Sequence, residues 1–112
     1  MKSNIIAEKL NFKLLTSTEG TDREVLNLYT CDLLSWAMAK ATEDSMWFTV
    51  MGNVNTVAVA CLKDVSCIVL IEGATLDEDA KARAQQNEIA VYQTDLSAVS
   101  AILKVNEILN EV

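Results

Sequence analysis

Any chemistry in this chain has to start from Asp22 and Arg23, from three cysteines, or from the glycines and asparagines between its apolar runs, because it contains no histidine. The commonest general base is therefore missing, and with it the Ser-His and Cys-His nucleophile pairs and most zinc sites. Carboxylates can move protons, but the densest run, Asp77-Glu78-Asp79, falls where a helix is expected to begin. Negative charge there complements the helix dipole by about 0.3–1 kcal/mol, which accounts for it without catalysis. The phosphate-loop pattern Gly-x-x-x-x-Gly-Lys-[Ser/Thr] is absent. The sequence thus nominates no catalytic residue, no metal ligands and no cofactor.

Candidates for binding remain. Asp22 and Arg23 follow the turn at Gly20 and lead into a strand, where a carboxylate can accept turn N–H groups and a guanidinium can reach an anion or a carboxylate. They fit an internal clamp, an interface salt bridge or a ligand contact. Gly52, Asn53, Asn55 and Gly73 adjoin expected strand ends, where backbone N–H groups can approach a phosphate or carboxylate closely, or simply form turns. Thr30 and Asp32 stand at a third strand end. Cys31 precedes an expected helix cap at Asp32, where the helix end would lower its pKa and the carboxylate would raise it. The odd count of cysteines, Cys31, Cys61 and Cys67, and their wide spacing argue for small buried side chains in a reducing cytoplasm rather than disulfides.

The elements that would position these residues alternate between β-rich and helical patterns, an α/β signature. A short opening helix carries Ile5, Ile6 and Leu10, and strands are expected over 12–17, 25–30, 46–51, 67–71 and 89–93. Between them, Leu33, Leu34, Ala37, Met38 and Ala41 recur at helical spacing after Asp32. Asn53 or Asn55 caps a helix with Val54, Val57, Ala58, Cys61 and Leu62 on one face. Thr75 with Glu78 reads as a capping box, and Thr94 or Asp95 as the cap of a last helix with Ala98, Ile102, Val105 and Leu109 inward. The run Cys67-Ile-Val-Leu-Ile71 is apolar on both faces and belongs at the sheet centre. The expected architecture is one three-layer α/β domain over residues 1–112, a mostly parallel sheet of about five strands flanked by helices, with ligands at the carboxyl ends of the strands.

With 112 residues, 51% hydrophobic and no proline, the chain is composed to bury one core. A formal charge of −7 repels nucleic acid and anionic membrane surfaces. No apolar stretch approaches the length of a membrane span or signal peptide, so neither membrane nor export is expected. Trp36, Met38, Met46, Trp47 and Met51 cluster around one helix and strand, which suits core packing or a homodimer face.

The segment Glu19-Gly20-Thr21-Asp22-Arg23-Glu24-Val25 resembles the Glu-Gly-x-Asp-Arg-x-Val stretch of the N-terminal domain of the HPr kinase/phosphorylase family. Cys67-Ile-Val-Leu-Ile-Glu-Gly73, Glu88-Ile-Ala-Val-Tyr92 and Thr94-Asp-Leu-Ser97 are similar to that domain's second half. Tyr29-Thr-Cys-Asp-Leu-Leu-Ser35, and the stretch from Trp47 to Ala60, resemble stand-alone proteins of the DRTGG domain family. In order, these motifs span residues 10–105. Asp22-Arg23 is followed by Glu24-Val25-Leu26 rather than Thr-Gly-Gly, so a ligand role served by the two glycines does not carry over. The resemblance implies an α/β fold, self-association and a regulatory rather than kinase role. The functional expectation is a non-catalytic module sensing a small anionic or nucleotide-like ligand. Its alternative is a dimeric accessory subunit for a protein partner, linked to anaerobic redox or hydrogenase systems, with no small-molecule ligand.

Overall fold

A strand without polar side chains cannot turn either face to water, and Cys67–Leu70 is buried at every position. It occupies the centre of the sheet. The structure, a computed structural model, describes residues 1–111. Its elements are α1 (Ser3–Leu10), β1 (Lys13–Leu14), β2 (Asn27–Thr30), α2 (Leu34–Lys40), β3 (Ser45–Thr49), α3 (Val54–Lys63), β4 (Cys67–Leu70), α4 (Glu78–Gln86), β5 (Ala90–Gln93) and α5 (Ala98–Leu109). The strand order is β1-β5-β4-β3-β2; β2 to β5 run parallel, and β1 pairs antiparallel with β5.

From β2 to β5 the chain advances across the sheet in one direction. Crossovers of constant hand then place α2, α3 and α4 on the same face. The two cores follow this division. Trp47, Ile68, Leu70 and Val91 point toward Ala37, Val57, Ala60, Ala80 and Ala84 of those three helices. Met46, Phe48, Cys67, Val69 and Tyr92 point the other way, toward Ile6 and Ala7 of α1 and Ala101 and Val105 of α5. The three layers, the mostly parallel five-stranded sheet and the central placement of β4 agree with the sequence reading.

Several local expectations change. The first strand shrinks to Lys13–Leu14 because Thr16 already turns its hydroxyl to accept the Val91 N–H. Helix α2 has Leu33, not Asp32, at its N-cap and no side-chain cap bond, since Asp32 reaches back to β3. Thr75 and Glu78 form no capping box; α4 begins after Asp77. Ser97 rather than Thr94 or Asp95 caps α5, accepting the Ser100 N–H at 3.2 Å. Asn53 caps α3 as expected. The buried line of α3 is Thr56, Val57, Val59 and Ala60, leaving Leu62 70% exposed. On α5 it is Ala101, Val105 and Ile108, with Ala98, Ile102 and Leu109 flanking. Met46 and Trp47 are fully buried, whereas Trp36 and Met38 are exposed on α2.

Candidate functional site

The residues nominated by the sequence divide between opposite ends of the sheet. After β1 descends along β5, Gly20 passes so close to the Glu88 carbonyl that a Cβ would overlap it, with φ of +83°. Residues 20–25 then cross beneath the amino ends of the parallel strands to reach β2. Along this strap Arg23 lies under the starts of β3 and β4. Its guanidinium donates to the Asp44 carboxylate at 3.0 Å, and to the Asp64 carboxylate and carbonyl at 3.1 Å each. Both aspartates adopt left-handed backbone, φ 59° and 54°, which aims them at the strap. Burial pulls the Arg23 pKa down, but hydrogen bonds and charge from the two carboxylates outweigh it and leave the pKa raised. These contacts are those of an internal clamp, one of the readings open from sequence. Asp22 beside Arg23 is exposed.

At the carboxyl ends of the strands, the glycine and asparagine loops are joined to one another. A Cβ on Gly52 would overlap the Thr75 carbonyl, and the Gly52 carbonyl accepts the Asp77 N–H at 2.8 Å. The N–H groups of Glu72 and Gly73 donate to Leu96 and Thr94 carbonyls at 2.8 and 2.9 Å. Asp32 accepts from the Thr49 hydroxyl at 2.7 Å and the Val50 N–H at 3.1 Å. Thr30 donates to the Phe48 carbonyl, and the Asn53 side chain accepts from Thr56. Asn55 alone among these candidates is exposed with no hydrogen bond. Most of the donors expected to cradle an anion are therefore already engaged.

A different opening lies at the same end, past the last strand. A groove of about 530 Å³ forms where the end of α1, the start of β1, the exit of β5 and one side of α5 converge. Lys9, Lys13 and Lys104 come to it from three elements, with Asn11, Gln93 and Thr94 as polar lining and Asp95 as its carboxylate. Among the described residues none of these lysines is in a salt bridge. In a chain of net charge −7 this concentrates cationic groups locally. None of the three lysines stands out in sequence, because each is an isolated charge on an element's polar side.

The thiols differ in setting. Cys67 is fully buried, and burial pushes its pKa up to about 12. Cys61 is half-buried at the α3 surface, where burial raises its pKa against the opposing charge of Arg83. Cys31 is half-buried too, and its sulfur accepts the Leu33 N–H at 3.4 Å. The Tyr29 hydroxyl near it is buried without a hydrogen-bond partner, and burial followed by Cys31 pushes the Tyr29 pKa up. Among the described residues no cluster of acidic and cysteine side chains could hold a metal ion.

No protein-family model matches the chain, and no curated protein matches it. Among solved structures it superposes on the CBS and DRTGG domains of the regulatory region of Clostridium perfringens pyrophosphatase, complexed with the activator diadenosine tetraphosphate. The TM-score is 0.73 at 15% identity, over 94% of this chain. The chain has a DRTGG-like fold. It spans 50% of that structure of the pyrophosphatase's regulatory region. In this chain the segment 19–25 is the strap under the sheet, so the motif resemblance marks the end opposite the lysine groove. No helix among the described residues is long and apolar enough to cross a membrane.

Proposed function

We propose that the whole chain is one DRTGG-like unit acting as a non-catalytic regulatory module in the cytoplasm, and that it senses a small anionic or nucleotide-like ligand. The observation carrying this is the groove in which Lys9, Lys13 and Lys104 converge, none of them in a salt bridge among the described residues. The groove is open to solvent, and its volume of about 530 Å³ is of the order of small-molecule sites, roughly 300–1,000 Å³. The similar pyrophosphatase region is held with a dinucleotide activator, which supports a regulatory role for this chain by analogy of fold. Gly20, Asp22 and Arg23 lie at the other end of the sheet, and the ligand reading is placed on the lysines. Gly52, Asn53 and Gly73 shape the neighbouring loops.

Thermal unfolding against nucleotides, acyl phosphates and common anionic metabolites tests this reading. A ligand at 100 times its Kd adds about 2.7 kcal/mol, which raises the midpoint of a domain this size by roughly 10 °C. The shift should vanish in a Lys9→Gln/Lys13→Gln/Lys104→Gln variant and persist in Arg23→Ala. No shift from any anion would retire the sensor reading.

A second reading, a homodimeric accessory subunit, draws on α2. Leu33 and Trp36 stand one helical turn apart, 59% and 58% exposed. Aromatic side chains such as Trp36 are enriched in interface cores. Sedimentation of wild type against Trp36→Glu decides it: a dimer converted to monomer supports the reading, and a wild-type monomer at all concentrations removes it.

A further inference from the structure

The lysine groove does not end at its own walls. On one side it shares Lys9 and Lys104 with a hollow of about 280 Å³ along α5. On the other it shares Lys13 and Gln93 with a hollow of about 240 Å³ that reaches Thr75, Glu78 and Lys81 of the α4 region. The three hollows therefore follow one another around the β1 edge of the sheet, from the α1/α5 layer to the α4 layer. Lys104, Lys9, Lys13 and Lys81 succeed one another along this course and make up four of the nine basic residues. The acidic groups on the path are Asp95 in the middle hollow, Glu78 in the α4 hollow, and Glu107 and Glu111 in the α5 hollow.

The type of cation matters. A single carboxylate or phosphate is best held by a bidentate guanidinium or by converging backbone N–H groups. No guanidinium lines the course, since neither of the chain's arginines reaches it, and the N–H groups of Glu72 and Gly73 beside it are taken by Leu96 and Thr94; the backbone N–H groups on the course are those of the first turn of α4, at Glu78. Lysines are point charges on long flexible stems, and spaced along a channel they match charge distributed along a ligand.

Resting on the anion-sensing reading above, we infer that the ligand is an oligophosphate, an extended chain of phosphates laid around the β1 edge from the main groove toward Lys81. Lys13 stands at the crossing between the two hollows. Asp95 is placed to accept from a hydroxyl or amine attached to the chain, as on a nucleoside, and disfavours phosphate at its own position.

Isothermal titration of the purified chain with orthophosphate, pyrophosphate, tripolyphosphate and adenosine triphosphate tests this. Low ionic strength is needed, because exposed charges are screened over about 10 Å at 0.1 M salt. Affinity should rise at least about tenfold from orthophosphate to tripolyphosphate. Lys81→Gln, an exposed substitution, should weaken tripolyphosphate by about three- to fivefold and leave orthophosphate unchanged. Tighter binding of adenosine triphosphate than tripolyphosphate, lost in Asp95→Asn, would identify a nucleoside-bearing chain; equal or weaker binding would identify the inorganic one. Equal affinities along the phosphate series, or an unaffected Lys81→Gln, would overturn the extended ligand while leaving a compact anion site. Failure of every anion to bind would overturn the sensing reading itself.

Discussion

Arg23 and Asp64 are 41 residues apart in sequence, yet one guanidinium holds both the carboxylate and the carbonyl of that aspartate at 3.1 Å. The same guanidinium reaches Asp44 at 3.0 Å, so the strap is fastened to the turns before two neighbouring strands. Asp64 is 67% exposed, and its share is largely screened by solvent; Asp44, at 35%, is better sheltered. Arg23→Ala should cost about 1–2 kcal/mol and lower Tm by roughly 5–10 °C while leaving anion affinity intact. Calorimetry with and without tripolyphosphate checks both halves. Lost anion binding in an otherwise stable variant would return Arg23 to the ligand site.

Gly52 is required by packing. Any side chain there meets the Thr75 carbonyl, which is backbone and cannot swing aside. We expect Gly52→Ala to destabilise the chain by about 3 kcal/mol through forced separation of the two loops. Urea denaturation would reveal it as a lower midpoint, and an unchanged midpoint would show that the loops are free to part.

Alkaline pH should unfold the protein through two buried acids. Burial raises Cys67 from 9.0 to about 12, with small opposing contributions from Ser3 and Arg23. Burial likewise raises Tyr92 from 10.0 to about 12, opposed by its hydrogen bond to Ser3. In each case the native state keeps a proton that the unfolded chain releases. Stability is therefore complete below about pH 9 and falls as pH rises toward 12, by at most about 1.4 kcal/mol per pH unit for each group. Unfolding midpoints should be level from pH 7 to 8.5 and decline above 9, the decline between 9 and 10 shrinking in Cys67→Ala. A flat profile up to pH 11 would contradict the burial of both groups.

Thiol labelling separates the three cysteines. Cys31 and Cys61 are half-buried and should react with an aromatic disulfide reagent in the folded protein, while Cys67 should react only on unfolding. Two thiols titrating natively and three in denaturant is the expected count. Cys31→Ser, which removes one of the two accessible thiols, should leave ligand-induced thermal shifts unaltered.

The sequence itself determined the layers. Alternation of Met46, Trp47 and Phe48, and the apolar run from Cys67 to Ile71, leave only a sheet covered on both faces. Those patterns act residue by residue, because burial of an apolar side chain depends on its own chemistry and period. Helix caps were less legible: Asp32 and Thr94 have cap chemistry but are used elsewhere, Asp32 on Thr49 and Thr94 on the Leu96 N–H, and Thr75 stands two residues before the α4 cap position Asp77. Only the tertiary structure decided where function could sit. The antiparallel return of β1 beside β5 sends residues 19–25 to the amino ends of the strands, and so turns the most suggestive motif into a fastening. The same return brings Lys9 and Lys13 beside Lys104, more than 90 positions away. Single exposed lysines carry no local signal, since a charge on a polar face is satisfied by water wherever it stands. Their meaning comes from convergence, which strand order alone sets.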